Sequence, residues 1–521
     1  MRESGADTAP RISRRGVMRG AGAFAASLAA GSAAAQNASP LASLADGAPF
    51  GADALLDIAR ALSKQPYAAP ANDLPESWAA LPRERYAAIR GNPNAFLFRG
   101  EDRGVTIEPL HRGFVFTRPV QLYVIEDGRM RRLVYDPAAF EFGNLPPPPP
   151  GTDLAFSGIR IFGDPVDGQN REVAVFQGGT FFRAMARAQT YGVTARALAL
   201  RLADNRGEET PYFRALWIER PSVGAKAVNL FALIDSESAT AALVATVRPG
   251  DVTIIDAQLT VFARAALDNV GVGAMSGMYL FGPNERRSQD DVRPAVYEIS
   301  GLKMVRGNEE AIWRPVVNPQ TLQISIFGDE NPRGFGLLQR SRDQIWFQDD
   351  EQRFERRPSL WVEPIGDWGA GAVQLVEIPS DSEVNKNIIA YWRPKAPMAA
   401  GGEATFAFRQ FWWWWPPERT KLAIVTQTRS GKGSSGRRRR FVVDFAGEAL
   451  GDARATVEMA PTVSASPGAI LNVRVMPFPE RKSCRVMFEL DPGSESMCEL
   501  RLVLTGSGQP LTETWLYRWT P

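Results

Sequence analysis

The chain's only histidine, His111, excludes much chemistry. A Ser-His-Asp or Cys-His nucleophile would have to be built on that one residue, and a multi-histidine metal site is ruled out. In Leu110-His111-Arg112-Gly113 its expected role is structural. The two cysteines, Cys484 and Cys498, flank Asp491-Pro492-Gly493-Ser494. A hairpin there lets them bridge in an oxidising compartment; otherwise they are buried thiols acting as small apolar residues. The run Trp412 to Trp415 alternates faces along a strand, two rings each way. Arg437 to Arg440, in a Gly/Ser-rich segment, reads as a solvated loop.

These groups have to be positioned mostly by strands. Residues 52–64 have helical spacing, with Leu55, Ile58, Ala59 and Leu62 on one face, and a second short helix is predicted over Pro82 to Ile89. Val120 to Ile125 alternates, and Glu126-Asp127-Gly128 is a hairpin turn. Phe181 to Gln189 reads as a short helix or a loop. Strand patterns recur at 215–219, 228–233, 241–247, 252–261, 322–326, 372–378, 388–392 and 404–415. Pro416-Pro417 ends the last of these and sets a predicted domain boundary. Residues 418–521 are the right length for one small sandwich, with strands at 421–427, 440–444, 469–475 and 485–489.

With 521 residues, 39 Pro, 46 Gly and 28 Phe, the chain is long enough for two or three domains and is biased towards β structure with many loops. Residues 1–35 hold five arginines and two acids, leaving 55 basic and 56 acidic residues beyond them. A near-neutral body gives no footprint for nucleic acid. Ser13-Arg14-Arg15-Gly16-Val17-Met18 is similar to a twin-arginine export motif, with Val17 where that motif usually has Phe. An Ala-rich stretch and Ala33-Ala34-Ala35-Gln36 follow, as in a cleavable secretory signal. The expectation is a signal peptide over 1–35, a soluble periplasmic protein starting near Gln36, and no membrane span of its own.

Several segments resemble the OpgG/OpgD family of periplasmic glucan biosynthesis proteins. They are Phe182-Arg183-Ala184, Gln189 to Arg196, Leu233-Ile234-Asp235-Ser236, Asp291-Val292-Arg293-Pro294, Arg306-Gly307-Asn308, Trp313-Arg314-Pro315, Asn331 to Leu337, Arg357 to Pro364 and Glu513 to Tyr517. The resemblance implies a large galactose-mutarotase-like β-sandwich over 36–417 and an immunoglobulin-like domain over 418–521. It also implies work on β-1,2-linked glucose backbones, with the glucan, and the inner-membrane glucan synthase, as partners. No cofactor or metal is implied.

Some members of the family are glucanases or transglycosylases, and cleaving a glycosidic bond takes two carboxyl groups. The family's acid is an Asp just before Asn-Ile. Here that segment reads Glu383-Val384-Asn385-Lys386-Asn387-Ile388, so Lys386 stands in the acid's place. The base lies in a His-Asp-Ser-Asp run, which here is Tyr297-Glu298-Ile299-Ser300. Glu298 keeps a carboxylate, while the neighbouring His and the second Asp are lost. An ordinary lysine, with a pKa about six units above a carboxylic acid, is a poor proton donor at neutral pH. Glu383 and Asp381 are the replacement acids in an active version of the site. Sugar CH faces stack on aromatic rings, which makes Trp313, Trp361, Trp368 and Trp392 candidate platforms. Arg293, Arg306, Arg314, Glu363, Asp367 and Lys386 are candidates for hydrogen bonds to glucose hydroxyls. The alternative for the aromatics is core packing, and for the charged groups pairing with one another.

Overall fold

The computed structural model describes residues 44–70, 73–166, 169–286, 289–415, 421–451 and 458–521. The predicted signal peptide lies outside them. The described residues belong to one unit, Leu44–Pro521, and are mainly strand. The helix predicted from spacing is Ala52–Ser63, and its buried face is Leu55, Ala59 and Leu62. Thr240 Oγ1 donates to the Ala59 carbonyl at 2.8 Å and ties the helix to the sheet beneath it. Among the described residues no helix is long and apolar enough to cross a membrane.

Two large sheets face each other across one core. Seven successive antiparallel neighbours form the middle of a fifteen-stranded sheet: Gly334–Leu338, Ser359–Ile365, Glu403–Trp413, Thr253–Ala263, Ala239–Arg248, Val228–Asp235 and Tyr212–Glu219. Gln121–Glu126 then adds in parallel and turns back through Asp127 and Gly128. Both turn residues have positive φ, 50° and 72°, the twist a two-residue hairpin requires. In the opposite, ten-stranded sheet the neighbours run Val105–Leu110, Gly158–Val166, Gln169–Gln177, Phe181–Ala184, Thr194–Arg196, Val270–Gly277, Ile388–Pro394, Ala370–Glu377 and Gln323–Glu330. Phe181–Ala184 is therefore a strand, not the helix or loop expected, because alternate burial of Phe182 and Ala184 places it inside this sheet.

Period-two burial builds the core. Along Glu403–Trp413, Phe406, Phe408, Gln410 and Trp412 point inward. Each large apolar side chain so buried contributes about 1.5–3 kcal/mol. Phe182 and Trp412 meet across the two sheets, ring centroids 6.3 Å apart. A second core gathers Trp313, Val317 and Leu338 with Val425, Phe441, Phe488, Leu502 and Trp515. It lies between a four-stranded sheet (Ile424–Lys432, Arg439–Ala446, Ser483–Asp491, Ala469–Phe478) and the end of the fifteen-stranded sheet, where Thr514–Trp519 pairs parallel to Ala311–Pro315. Cys484 and Cys498 stand in different sheets, both buried and both free.

His111 is structural, as expected. It is 4% exposed and enclosed by Trp78, Tyr135, Phe140 and Phe142. Its Nδ1 meets the Arg112 carbonyl, which only accepts, so Nδ1 carries the proton. Nε2 then accepts from the Tyr135 hydroxyl at 2.8 Å. Burial pushes the imidazole pKa down from 6.5 to about 4. The unfolded chain thus binds this proton first, and stability falls as pH drops from 6.5 towards 4. Between pH 7 and 4.5 the loss is about 2–3 kcal/mol. Asp235 and Glu377, whose carboxyls burial pushes up, act with the opposite sign. The measurement is therefore the difference between wild type and His111→Gln in urea unfolding at the two pH values, with the variant less acid-sensitive.

Candidate functional site

Glu298 follows the short strand Val296–Tyr297 and is 2% exposed. Its backbone N–H donates to the Met278 carbonyl at 3.0 Å, and its Oε1 accepts from the Met278 N–H at 3.0 Å. This double hold fixes the carboxylate at the end of Val270–Gly277. Lys386 sits in the turn just before Ile388–Pro394. Its Nζ donates to the Gly192 carbonyl at 3.0 Å and forms an ion pair with Glu298 Oε1. Burial pushes the Lys386 ammonium below the ordinary lysine range. Glu298 opposes that shift, while Arg357 and Arg183 add to it.

Asn387 bolts the turn in place. It donates to the Tyr279 and Ile378 carbonyls at 2.9 and 3.1 Å and accepts from the Tyr279 N–H at 2.9 Å. A register error at Lys386 would break all three bonds.

Around this pair the structure gathers segments far apart in sequence. Arg357 donates to the Tyr191 carbonyl and, at 2.9 Å, to the Gln352 carbonyl. Thr190 N–H donates to the Arg356 carbonyl at 3.2 Å, so the two loops lie across each other. A Cβ on Gly192 would sit 2.9 Å from Arg357 Cβ, which is why glycine occupies that crossing. Tyr191 Oη donates to Glu172 at 2.9 Å, and the Arg183 guanidinium lies 5.0 Å over the Tyr191 ring. Burial and Glu172 push the Tyr191 hydroxyl well above the ordinary phenol range, so it acts as a neutral donor.

Glu383 belongs to a neighbouring cluster built on Arg293. The guanidinium binds Asp291 at 2.8 Å, Asp349 at 2.7 Å and Glu383 at 2.7 Å. Hydrogen bonding from Arg293 holds the Asp291 carboxyl below its usual range. At Asp349 burial works the other way, but the Gln352 N–H and Arg293 outweigh it and the carboxyl is held down. The cluster gathers three carboxylates around one guanidinium. Asp381 is exposed on the same turn.

The other residues singled out from the sequence do not converge here. Trp313 is 3% exposed beneath Arg340, whose guanidinium is 3.5 Å from the ring centroid. Arg314 is buried and paired with the fully buried Glu377 at 3.0 Å, a bond joining the two large sheets. Trp361 donates to Glu363 at 3.0 Å, and both are buried. Trp392 is fully buried against Trp368, centroids 6.2 Å apart, and Trp368 donates to the Ala407 carbonyl at 3.1 Å. Core packing, the alternative given for these rings, is where all four are found. Asp367 is exposed on the rim of a separate polar cleft of about 1100 Å³ that includes Arg306, Asp329 and Lys395. Arg183, Tyr191 and Arg357, which do surround Lys386, were visible only as parts of the family-like segments. Arg357 donates to the Tyr191 and Gln352 backbone carbonyls, a pairing no side-chain pattern announces.

Chemically, the arrangement presents donors (Arg183, Arg293, Arg357, Lys386) and acceptors (Glu172, Glu298, Glu383) suited to hydroxyl groups. Where a glycosidase holds a carboxylic acid, it holds an ammonium bound to a carboxylate. Among the described residues no group of three or more His, Cys, Asp or Glu is arranged to hold a metal ion.

The family model described as "Periplasmic glucan biosynthesis protein, MdoG" matches residues 50–519. A relative named glucans biosynthesis protein G, from Rhodopseudomonas palustris, is 42% identical over 475 residues, covering 91% of this chain and 94% of the relative. Proteins of the same name from a Shewanella species and from Vibrio cholerae are 40% and 39% identical, each covering 90% of this chain and 87% of the relative. A match of this extent shows that the chain belongs to the periplasmic glucan biosynthesis protein family, MdoG.

Proposed function

We propose that this protein acts in the periplasm in glucan biosynthesis by binding the β-1,2-glucan backbone, without cleaving it. The observation that carries the reading is the Glu298–Lys386 ion pair. Hydrolysis requires one carboxyl to give a proton to the leaving oxygen while a second activates water or attacks. At this place the second partner is a lysine already hydrogen-bonded to a carboxylate and a backbone carbonyl. Glu383, the nearest replacement on the same turn, has an oxygen committed to Arg293. The remaining donors and acceptors are those a sugar chain needs for orientation. The family supports periplasmic glucan biosynthesis as the setting. An exported chain with a signal peptide over 1–35, a division near residues 417 and 418, and the inner-membrane glucan synthase as supplier of the nascent glucan complete the reading.

The test is incubation of the purified mature protein with linear β-1,2-glucan, products separated by chromatography, beside Glu298→Gln and Lys386→Asp. The expected result is no chain shortening or rearrangement by wild type, with glucan retained in a binding assay. Product release by wild type that Glu298→Gln abolishes would overturn the non-cleaving reading.

A further inference from the structure

A second cleft, of about 900 Å³, is lined by Tyr297 and Ser300 but not by Glu298 or Lys386. The Glu298 carboxylate is held instead by the Met278 N–H and Lys386. One wall comes from the second core's strands, through Gln427 and Asp444; the other carries Trp346 and Trp414.

The two indoles are presented, not merely left over. Trp346 is 42% exposed on the turn Gln344–Trp346. Asp343 caps that turn, its side chain accepting from the Ile345 N–H at 3.1 Å. The next residue, Phe347, is fully buried against Tyr297, 4.9 Å between centroids. The anchor goes inward and the indole is held outward. Trp414 is fixed from behind: its carbonyl accepts from Arg342 at 2.7 Å, and the Arg342 guanidinium lies 5.1 Å over its ring. Arg342 donates otherwise to the Glu355 and Arg357 carbonyls and Ser359, and burial pushes its pKa down to about 9. Two further side chains facing the cleft, Arg356 and Gln427, make no hydrogen bond to any described residue.

Two fixed aromatic faces with unspent amide and guanidinium donors in the same cleft match a ligand that alternates CH faces with hydroxyls. We propose that this cleft is a second carbohydrate-binding site that takes a short run of neutral β-linked glucose residues. The assignment rests on the reading of the chain as glucan-binding but places this contact apart from Lys386. A chain held at two places is retained more tightly than by either alone, since the second contact is made at high effective concentration.

The experiment is calorimetric titration of the full mature chain with linear β-1,2-gluco-oligosaccharides of defined length, too short to reach both sites, with tryptophan fluorescence read in parallel. Variants are Trp346→Ala and Gln427→Ala, both at partly exposed positions, with urea midpoints as the folding control. Wild type should bind two equivalents with indole quenching. Trp346→Ala should weaken one class roughly tenfold and remove most of the quenching, leaving the other class intact. Unchanged binding and quenching in Trp346→Ala overturns the second site alone. No binding of any oligosaccharide or longer glucan by wild type overturns the glucan-binding reading itself.

Discussion

Glu513→Ala should destabilise the folded protein by about 3–5 kcal/mol, the loss typical of breaking one side of a buried ion pair. Glu513 and Arg340 have side chains only 1% and 5% exposed, and they meet through two bonds of 2.6 and 3.0 Å. The same carboxylate accepts from the Val425 N–H at 2.7 Å, and Arg340 donates to the Val425 carbonyl at 2.6 Å. Arg340 also lies flat over Trp313. This one pair therefore fastens the start of Ile424–Lys432 and the last strand, Thr514–Trp519, to the segment after Gly334–Leu338. Removing the carboxylate strands a buried guanidinium with a single carbonyl and orphans the Val425 N–H. The urea midpoint should fall, and limited proteolysis should cut first beyond residue 421. Arg340→Met combined with Glu513→Gln should be less destabilised than the sum of the single variants, because contacting residues couple.

The value of Glu513 was legible only in outline. The segment Glu513-Thr514-Trp515-Leu516-Tyr517 stood out through family resemblance, but nothing in its alternation identified the partner 173 residues away. Strands with period-two burial, such as Glu403–Trp413, and the amphipathic helix Ala52–Ser63 could be read directly, because burial on one face writes itself into the sequence. Val270–Gly277 could not. Its sequence Val-Gly-Val-Gly-Ala-Met-Ser-Gly is buried on both faces, so alternation is absent. Its glycines mark close neighbours: a Cβ on Gly271 would lie 3.1 Å from Tyr391, and one on Gly277 2.7 Å from Ile299. The candidate site divides in the same way. Glu298, Lys386 and Glu383 were found by aligning short motifs. The tryptophans nominated as sugar platforms pack in cores, since a large ring in a strand is satisfied as well by burial as by a ligand. Trp346, which is presented to solvent, lies outside every family-like segment, and only the burial of its neighbour Phe347 reveals its direction.

Lys386→Met is the most informative change at the site, and should cost about 3 kcal/mol at neutral pH. The substitution keeps the length and apolar stem of the side chain but removes the ammonium, leaving the Glu298 carboxylate, 3% exposed, with the Met278 N–H as its remaining hydrogen-bond donor. Desolvating a charge without its partner is the dominant penalty, and it exceeds the gain from a better-buried methionine. Glu298→Gln in the same background should restore most of the loss. The amide oxygen can still accept from Met278, and no buried charge remains. Glu298→Gln alone should be milder than Lys386→Met, because the lysine keeps the Gly192 carbonyl and a side chain one-third exposed through which water can reach it. A double-mutant cycle by urea unfolding measures the coupling. Glucan binding by the same four proteins then separates two roles. If the pair only holds the loops at Gly192 and Met278 in place, binding should recover with stability in the double variant. If the charges themselves contact sugar hydroxyls, stability should recover while affinity stays low. Recovery of both would confine the glucan to Arg183, Tyr191 and the Arg293 cluster.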